Sequence, residues 1–356
     1  MQRETMRVAP ADVSQGAWQW MWSSLRHCLG VSSLLVLSLP ASAQAQDSSS
    51  ATTVSPTALV DALNGVFGKQ TTGRAIHAKG IVLEGTFAAS RKARALSKAA
   101  HFTVQQVPVI VRFSNFAGIP TIADADPLAT PHGIAIKFTL PDGTSTDVVA
   151  HSFNGFPTRT AEEFQQLMVA LGNSKAGMTL PTPADQFMAG HPTAKSFFDH
   201  LPPPPVSFAT VEYFGVNSFQ FTNAAGRTRF GRYQLVPVAG IAYLAKEVSS
   251  RVTPDYLMSE IGTRLASGPI KILLRVQLAQ SGDVIDDPSV AWPESRPTID
   301  LGVVTLTGVV KDSDAMQQKL LFTPTAVAPG IATADPMIEA RNSAYGVSYA
   351  RRHSTP

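Results

Sequence analysis

Apolar residues recur along this chain at two periods, and the period switches several times. In "TALVDALNGVFG", residues 57–68, Leu59, Leu63 and Phe67 stand four apart, the spacing of one helix face. From residue 74 the rhythm shortens. "RAIHAKGIVLEGTF" reads as strand up to Phe87, with His77 inside it. Strand patterns cover 80–88, 107–114, 132–139 and 146–151, and Pro-Asp-Gly at 141–143 marks the turn between the last two. A helix is predicted from Thr160, a capping residue followed by Glu162 and Glu163 in the first turn. A second is predicted over 184–199. After the break at "LPPPPVSF", strands resume at 211–222 and 228–237, joined by "NAAG". Residues 254–266 predict a helix, 270–279 and 301–309 strands, "FTPTAVAPGI" a loop and "DPMIEARNSAY" a helix. No internal repeat is visible. Strands in hairpin order with helices between them predict an α+β fold, an antiparallel β-barrel with inserted and flanking helices.

Composition narrows the class. The 356 residues are 44% hydrophobic and 15% charged, the range of a soluble globular protein. A formal net charge of +3, spread without any Lys/Arg run, argues against a nucleic-acid partner. "LRHCLGVSSLLVLSLPASAQAQ" sets a basic residue before an apolar run at 29–39 and then Ala41-Ser42-Ala43. This order predicts a signal peptide over 1–43, cleaved after Ala43 or Ala45, with translation starting at Met1, Met6 or Met21. A Ser/Thr-rich flexible leader is expected over 44–56 and one domain over 57–356. The apolar run is too short to span a bilayer comfortably, so no stable membrane insertion is expected. The expected location is the periplasm. Cys28, the only cysteine, falls in the predicted signal, which excludes disulfides, thiolate catalysis and zinc–cysteine sites from the mature chain.

The familiar nucleotide and hydrolase motifs are missing: no phosphate-binding loop, no dinucleotide fingerprint and no G-x-S-x-G. His77 stands out by context, an imidazole in an apolar strand pattern three residues after Arg74. By itself, a lone histidine in a strand pattern is more often a structural residue than a catalytic one. Arg341 and Tyr345 are four apart and share one face of a helix. A guanidinium against a phenol favours the phenolate, a hard anionic ligand suited to ferric iron. A surface cation–π pair is the plainer reading of the same spacing.

Seven ordered stretches change the weighting: "RAIHAKG", "VRFSN", "PHGIAIKF", "YFGVNSFQFTN", "DDPSVAWPE", "FTPTAVAPGI" and "DPMIEARNSAY". Together they resemble the haem catalase family and, in detail, its small branch, the catalase-related peroxidases, over residues 57–353. The resemblance implies haem b (iron) buried between barrel and helices, in the tyrosine-ligated class of haem proteins. It implies that Tyr345 is the axial ligand and that Arg341 keeps it anionic. His77 takes the place of the distal histidine and Ser114 of the serine that orients it. Arg74, Arg112 and Arg352 match arginines that hold haem propionates or support the haem edge. Phe156 and Phe164 match aromatic positions around the haem.

Two departures shape the expected activity. Large catalases carry a distal asparagine in "DLVGNNTP", whereas "DVVAHSFNGFP" aligns His151 with it. Asn154 is the alternative donor. A histidine donates a hydrogen bond but is bulkier and titrates, which disfavours fast dismutation while leaving peroxide activation. The chain also ends soon after Tyr345, so less wrapping and a more accessible haem are expected, in a monomer or homodimer. The resemblance therefore implies a peroxidase that reduces hydrogen peroxide or organic hydroperoxides with a small organic reductant. True catalase turnover, rearrangement of lipid hydroperoxides and a non-catalytic haem or apolar-ligand binder are the competing readings.

Overall fold

The computed structural model describes residues 54–354; the predicted signal and most of the leader lie outside them. Helix α1, Pro56–Phe67, starts where the Ser55 hydroxyl accepts the Ala58 N–H, and Gly68 ends it at φ +82°. Four strands follow as hairpins: β1 (Gly80–Ala89), β2 (Gln106–Ser114), β3 (Gly133–Thr139) and β4 (Ser145–His151). Then come helices α2 (Ala161–Asn173), α3 (Pro183–Gly190) and α4 (Pro192–Asp199). Strands β5 (Tyr213–Phe214), β6 (Phe219–Thr222) and β7 (Thr228–Pro237) precede helix α5 (Tyr256–Ala266). Strands β8 (Ile270–Leu278) and β9 (Thr298–Val309), helix α6 (Ser313–Lys319), strand β10 (Ile331–Thr333) and helix α7 (Met337–His353) follow; shorter helical turns at Arg91–Leu96, Ala100–Thr103 and Lys246–Ser249 join the strands.

Every strand pair is antiparallel, and β1-β2-β3-β4-β5-β7-β8-β9 closes back on β1. Closure leaves these eight strands without a free edge; β6 and β10 extend the sheet beside β7. The period of two separates the faces. On β2 to β4, Val109, Val111, Phe113, Ile134, Ile136, Phe138, Val148 and Ala150 join the apolar filling of the barrel. The alternate residues face outward: Ile110, Ala135 and Val149 pack with Val82, Leu320 and Phe322, while α1, α2, α3 and α4 build a second apolar cluster outside the barrel.

Register turns that outer face into a site. Gly80, Ser114, Gly133 and His151 are successive cross-strand partners, and Val82, Arg112, Ala135 and Val149 form the next row on the same side. Residues 80, 114, 133 and 151 are thereby neighbours, and a one-residue slip would turn them into the barrel.

The observed elements differ from the sequence reading in four informative places. His77 is not within a strand: β1 begins at Gly80, and His77 sits in the preceding bend at φ +56°. The stretch 211–222 is two strands, because the chain leaves the barrel between Phe214 and Phe219. The helix read over 184–199 is broken at His191, which precedes Pro192 and leaves the helical region at φ −130°, ψ 78°. The last helix runs on to His353 rather than stopping at Tyr345.

Candidate active site

A cavity lies between the outer face of β2–β4 and the covering helices, with about 1400 Å³ of space between atoms, its open mouth included. Its lining comes from both the sheet and the covering helices and is largely apolar. Arg74, His77, Arg112, Ser114, His151, Phe156, Phe164, Arg341, Tyr345 and Arg352 all line it. The sequence alternative, Asn154, does not line it.

His77 is placed by backbone. Its N–H donates to Phe116 O at 2.7 Å and the Ala78 N–H to Ala117 O at 3.0 Å, which carries the β1–β2 pairing past the strand ends. A positive φ outside glycine is uncommon, and such strain gathers at functional sites. The ring rests over Gly133, where an added Cβ would stand 2.8 Å from both His77 Cε1 and Ser114 Oγ. Glycine is therefore required there by close approach. Ser114 Oγ lies 3.1 Å from His77 Nδ1. In the tautomer that donates Nδ1–H to that hydroxyl, Nε2 keeps its lone pair.

Behind the pair runs a buried polar chain. Asn115 gives Nδ2–H to Asp124 at 2.7 Å and turns Oδ1 to His132 Nδ1 at 3.1 Å. Asp124 pairs with the buried Lys79 Nζ at 2.7 Å. Lys79 is two residues from His77 and Asn115 is next to Ser114, so the chain braces the bend from both strands.

Helix α7 supplies the opposite set of groups. Arg341, Tyr345, Ser348 and Arg352 recur at helical spacing, and all four line the cavity. Arg341 Nη2 donates to Tyr345 Oη at 2.9 Å, and Nη1 donates to Asn217 Oδ1. Asn217 Nδ2 in turn donates to Asp335 Oδ2 at 2.7 Å. The break between β5 and β6 is what delivers Asn217 to this arginine. Neither Asn217 nor Asp335 was singled out by sequence reasoning, although both stand in quoted stretches, "YFGVNSFQFTN" and "DPMIEARNSAY".

Three guanidiniums converge without a carboxylate. Arg74 Nη2 donates to Gln317 O and Leu320 O, and Arg352 Nη2 also donates to Leu320 O, at 2.6 Å. Arg112 donates to His77 O at 2.8 Å and to Gln317 Oε1 at 2.9 Å. Among the described residues, no Asp or Glu pairs with Arg74, Arg112 or Arg352. Burial, then Arg112 and Arg352, lowers the Arg74 guanidinium to about 7. Burial and Arg352 lower Arg112 to about 9. Buried cations normally have an anion beside them, so this group calls for an anionic ligand.

Burial favours the neutral form of four imidazoles. Burial, followed by the charges of Arg112, His151 and Arg341, lowers His77 to about 3. Burial and Arg341 lower His151 to about 3, and both of its ring nitrogens are buried without a partner. Burial does the same to His101 and His132, each to about 3. Unfolding returns these four rings to the ordinary value of 6.5, so between pH 6.5 and 3 the unfolded chain binds more protons. Stability due to them is complete above pH 6.5 and is lost as pH falls towards 3. Thermal melting of the ligand-free chain is expected to fall steeply across that window. His101 packs against Phe87, Phe102 and Phe138 away from the cavity, so His101→Phe is expected to flatten the fall. An unchanged acid slope in that variant would count against this origin.

Barrel, apolar cavity and a buried cation cluster without carboxylate partners suit an anion-bearing ligand held between sheet and helices. The chain belongs to the catalase family: the model of the family described as Catalase matches residues 36–355. It is 37% identical over 299 residues to a catalase-related peroxidase of Mycolicibacterium paratuberculosis, covering 83% of this chain and 94% of that one. A catalase-related peroxidase of Synechococcus elongatus is 29% identical over 306 residues, covering 85% of this chain and 90% of that one. The crystal structure of a fungal catalase shares the fold at a TM-score of 0.69 and 20% identity, over 83% of this chain and 62% of that one. The family implies haem. The residues present fit it: three guanidiniums lack carboxylate partners, an arginine-held phenol and unpartnered imidazole nitrogens face the same space, and the remaining lining is largely apolar.

Proposed function

We propose that this chain is an exported haem b peroxidase that reduces hydrogen peroxide or organic hydroperoxides with a small organic electron donor. The observation that carries this reading is the union, in one cavity, of the His77–Ser114 pair and the Arg341-held Tyr345. A carrier needs a ligand to iron but no distal acid–base group.

Bound haem iron supplies the redox chemistry of O–O cleavage. The protein supplies position and protons. Tyr345 Oη would ligate the iron, and Arg341, whose own place is set by Asn217 and Asp335, donates to that oxygen and favours its anionic form. Arg74, Arg112 and Arg352 would hold the propionates by charge-assisted hydrogen bonds. His77 Nε2 takes the proton from one peroxide oxygen and returns it to the other as the bond breaks. Its neutrality at physiological pH leaves that nitrogen ready to accept. His151 donates a ring N–H to the peroxide, and Phe156 and Phe164 wall the pocket. The apolar run at 29–39 and Ala41-Ser42-Ala43 support export to the periplasm.

Peroxidase is favoured over catalase by His151 at the position of the large catalases' asparagine. The names of the two relatives, catalase-related peroxidases, point the same way. Steady-state turnover of the haem-loaded chain tests the choice. Peroxide consumption is expected to need an oxidisable donor and to release little oxygen. Rapid oxygen release without a donor would instead establish catalase turnover.

A further inference from the structure

The arginine cluster is held by one helix end. Helix α6 points its C-terminal carbonyls at the guanidiniums: Gln317 O and Leu320 O accept from Arg74, and Leu320 O also accepts from Arg352. A helix C-terminus carries partial negative charge and so tolerates the cations without neutralising them. Arg112 is held from its inner side by the backbone oxygens of His77 and Ala78, at 2.8 and 3.2 Å. Gly80 makes that approach possible, since a Cβ there would stand 2.6 Å from Arg112 Nη2.

Arg352 also lies over the Tyr349 ring, 4.5 Å from its centroid; among the described residues, the one side chain that accepts a hydrogen bond from these guanidiniums is Gln317, which is buried. Its Oε1 accepts Arg112 Nε–H at 2.9 Å, and its Nε2–H donates to Asp314 Oδ1 at 3.1 Å. An acid is therefore near, but one amide removed. We infer that Gln317 is a positioning residue that sets the charge of the arginine cluster: a neutral spacer that aims Arg112 into the cavity while keeping Asp314 from cancelling it. A glutamate at 317 would pair with Arg112 directly and lie against Asp314. It would thus compete with the ligand's carboxylates for the guanidinium. An amide gives the same hydrogen bond to Arg112 and leaves its charge for the ligand.

The inference rests on the reading that the cavity takes haem, and the two fail differently. The test measures macrocycle release from the full chain to excess apomyoglobin, followed at the Soret band. It compares the wild type, Gln317→Glu and Gln317→Met, each loaded with haem or with haem dimethyl ester. Gln317→Glu is expected to release haem about tenfold faster or more, because a charge-assisted contact is lost. Gln317→Met, close in volume and uncharged, deletes the acceptor that aims Arg112 and is expected to release haem faster than wild type but clearly more slowly than the glutamate variant. With the dimethyl ester, which has no carboxylates, all three chains should release at similar rates; this arm separates charge from any general loosening of the fold. Equal haem release by the glutamate variant and wild type would overturn the inference. So would a methionine variant as fast as the glutamate one, or a glutamate effect that persists with the ester. A wild-type chain that takes up neither macrocycle would overturn the haem reading itself.

Discussion

His77→Ala is expected to lower the rate of peroxide cleavage by about 10²–10⁴-fold, the usual worth of a positioned acid–base group, with haem uptake unchanged. The expectation follows from how little else in the cavity can move the proton. Ser114 already faces His77 Nδ1, and the guanidiniums are donors only. His151 is a neutral imidazole, but it stands on β4 across Gly133 from Ser114, whereas the His77 ring lies directly over that glycine. Alanine removes the ring without touching the backbone bonds of residues 77 and 78 that shape the bend. Alanine at φ +56° costs some local strain, so the control is His77→Asn, which tolerates the left-handed region and lacks the base. Both variants should show the same loss in stopped-flow mixing with peroxide. A full rate in either would remove His77 from the chemistry.

The second large effect is expected at the other end of the chain. Tyr345→Phe should abolish stable haem uptake or leave a haem whose spectrum no longer reports oxygen ligation. Phenylalanine keeps the ring and its packing on α7 and deletes only the oxygen that Arg341 Nη2 addresses. The deletion also leaves that donor facing a large apolar space, so the loss exceeds one ligand bond. Titration with haem followed by gel filtration measures it. Wild-type retention and an unaltered spectrum in the variant would show that the iron ligand lies elsewhere.

Much of this arrangement is legible before any coordinates, for a physical reason. Apolar alternation in β2, β3 and β4 determines which residues fill the barrel, and the remaining positions, Arg112, Ser114, Gly133 and His151, follow by parity. Helical spacing puts Arg341 and Tyr345 on one face, and the same count carried past the quoted motif adds Ser348 and Arg352. What the pattern does not carry is conformation at single residues. Nothing in "RAIHAKG" reveals that His77 turns left-handed, because that follows from bonds to Phe116 and from the vacancy of a side chain at Gly133. Asn217 sits in an apolar–polar run that reads as one strand across 211–222, yet the chain breaks there to reach Arg341. Gln317 has no local signal at all; it matters because α6 ends beside three arginines that come from distant parts of the chain.

The central claim is that Tyr345 grips the iron while His77 serves the same cavity as its base. Resonance Raman spectra of the ferric, haem-loaded protein address the grip most directly. Phenolate ring modes enhanced by a ligand-to-iron band are expected in the wild type and in His77→Ala, and should vanish in Tyr345→Phe. An imidazole-ligated spectrum in the wild type, or phenolate modes that survive loss of the Tyr345 oxygen, would contradict it.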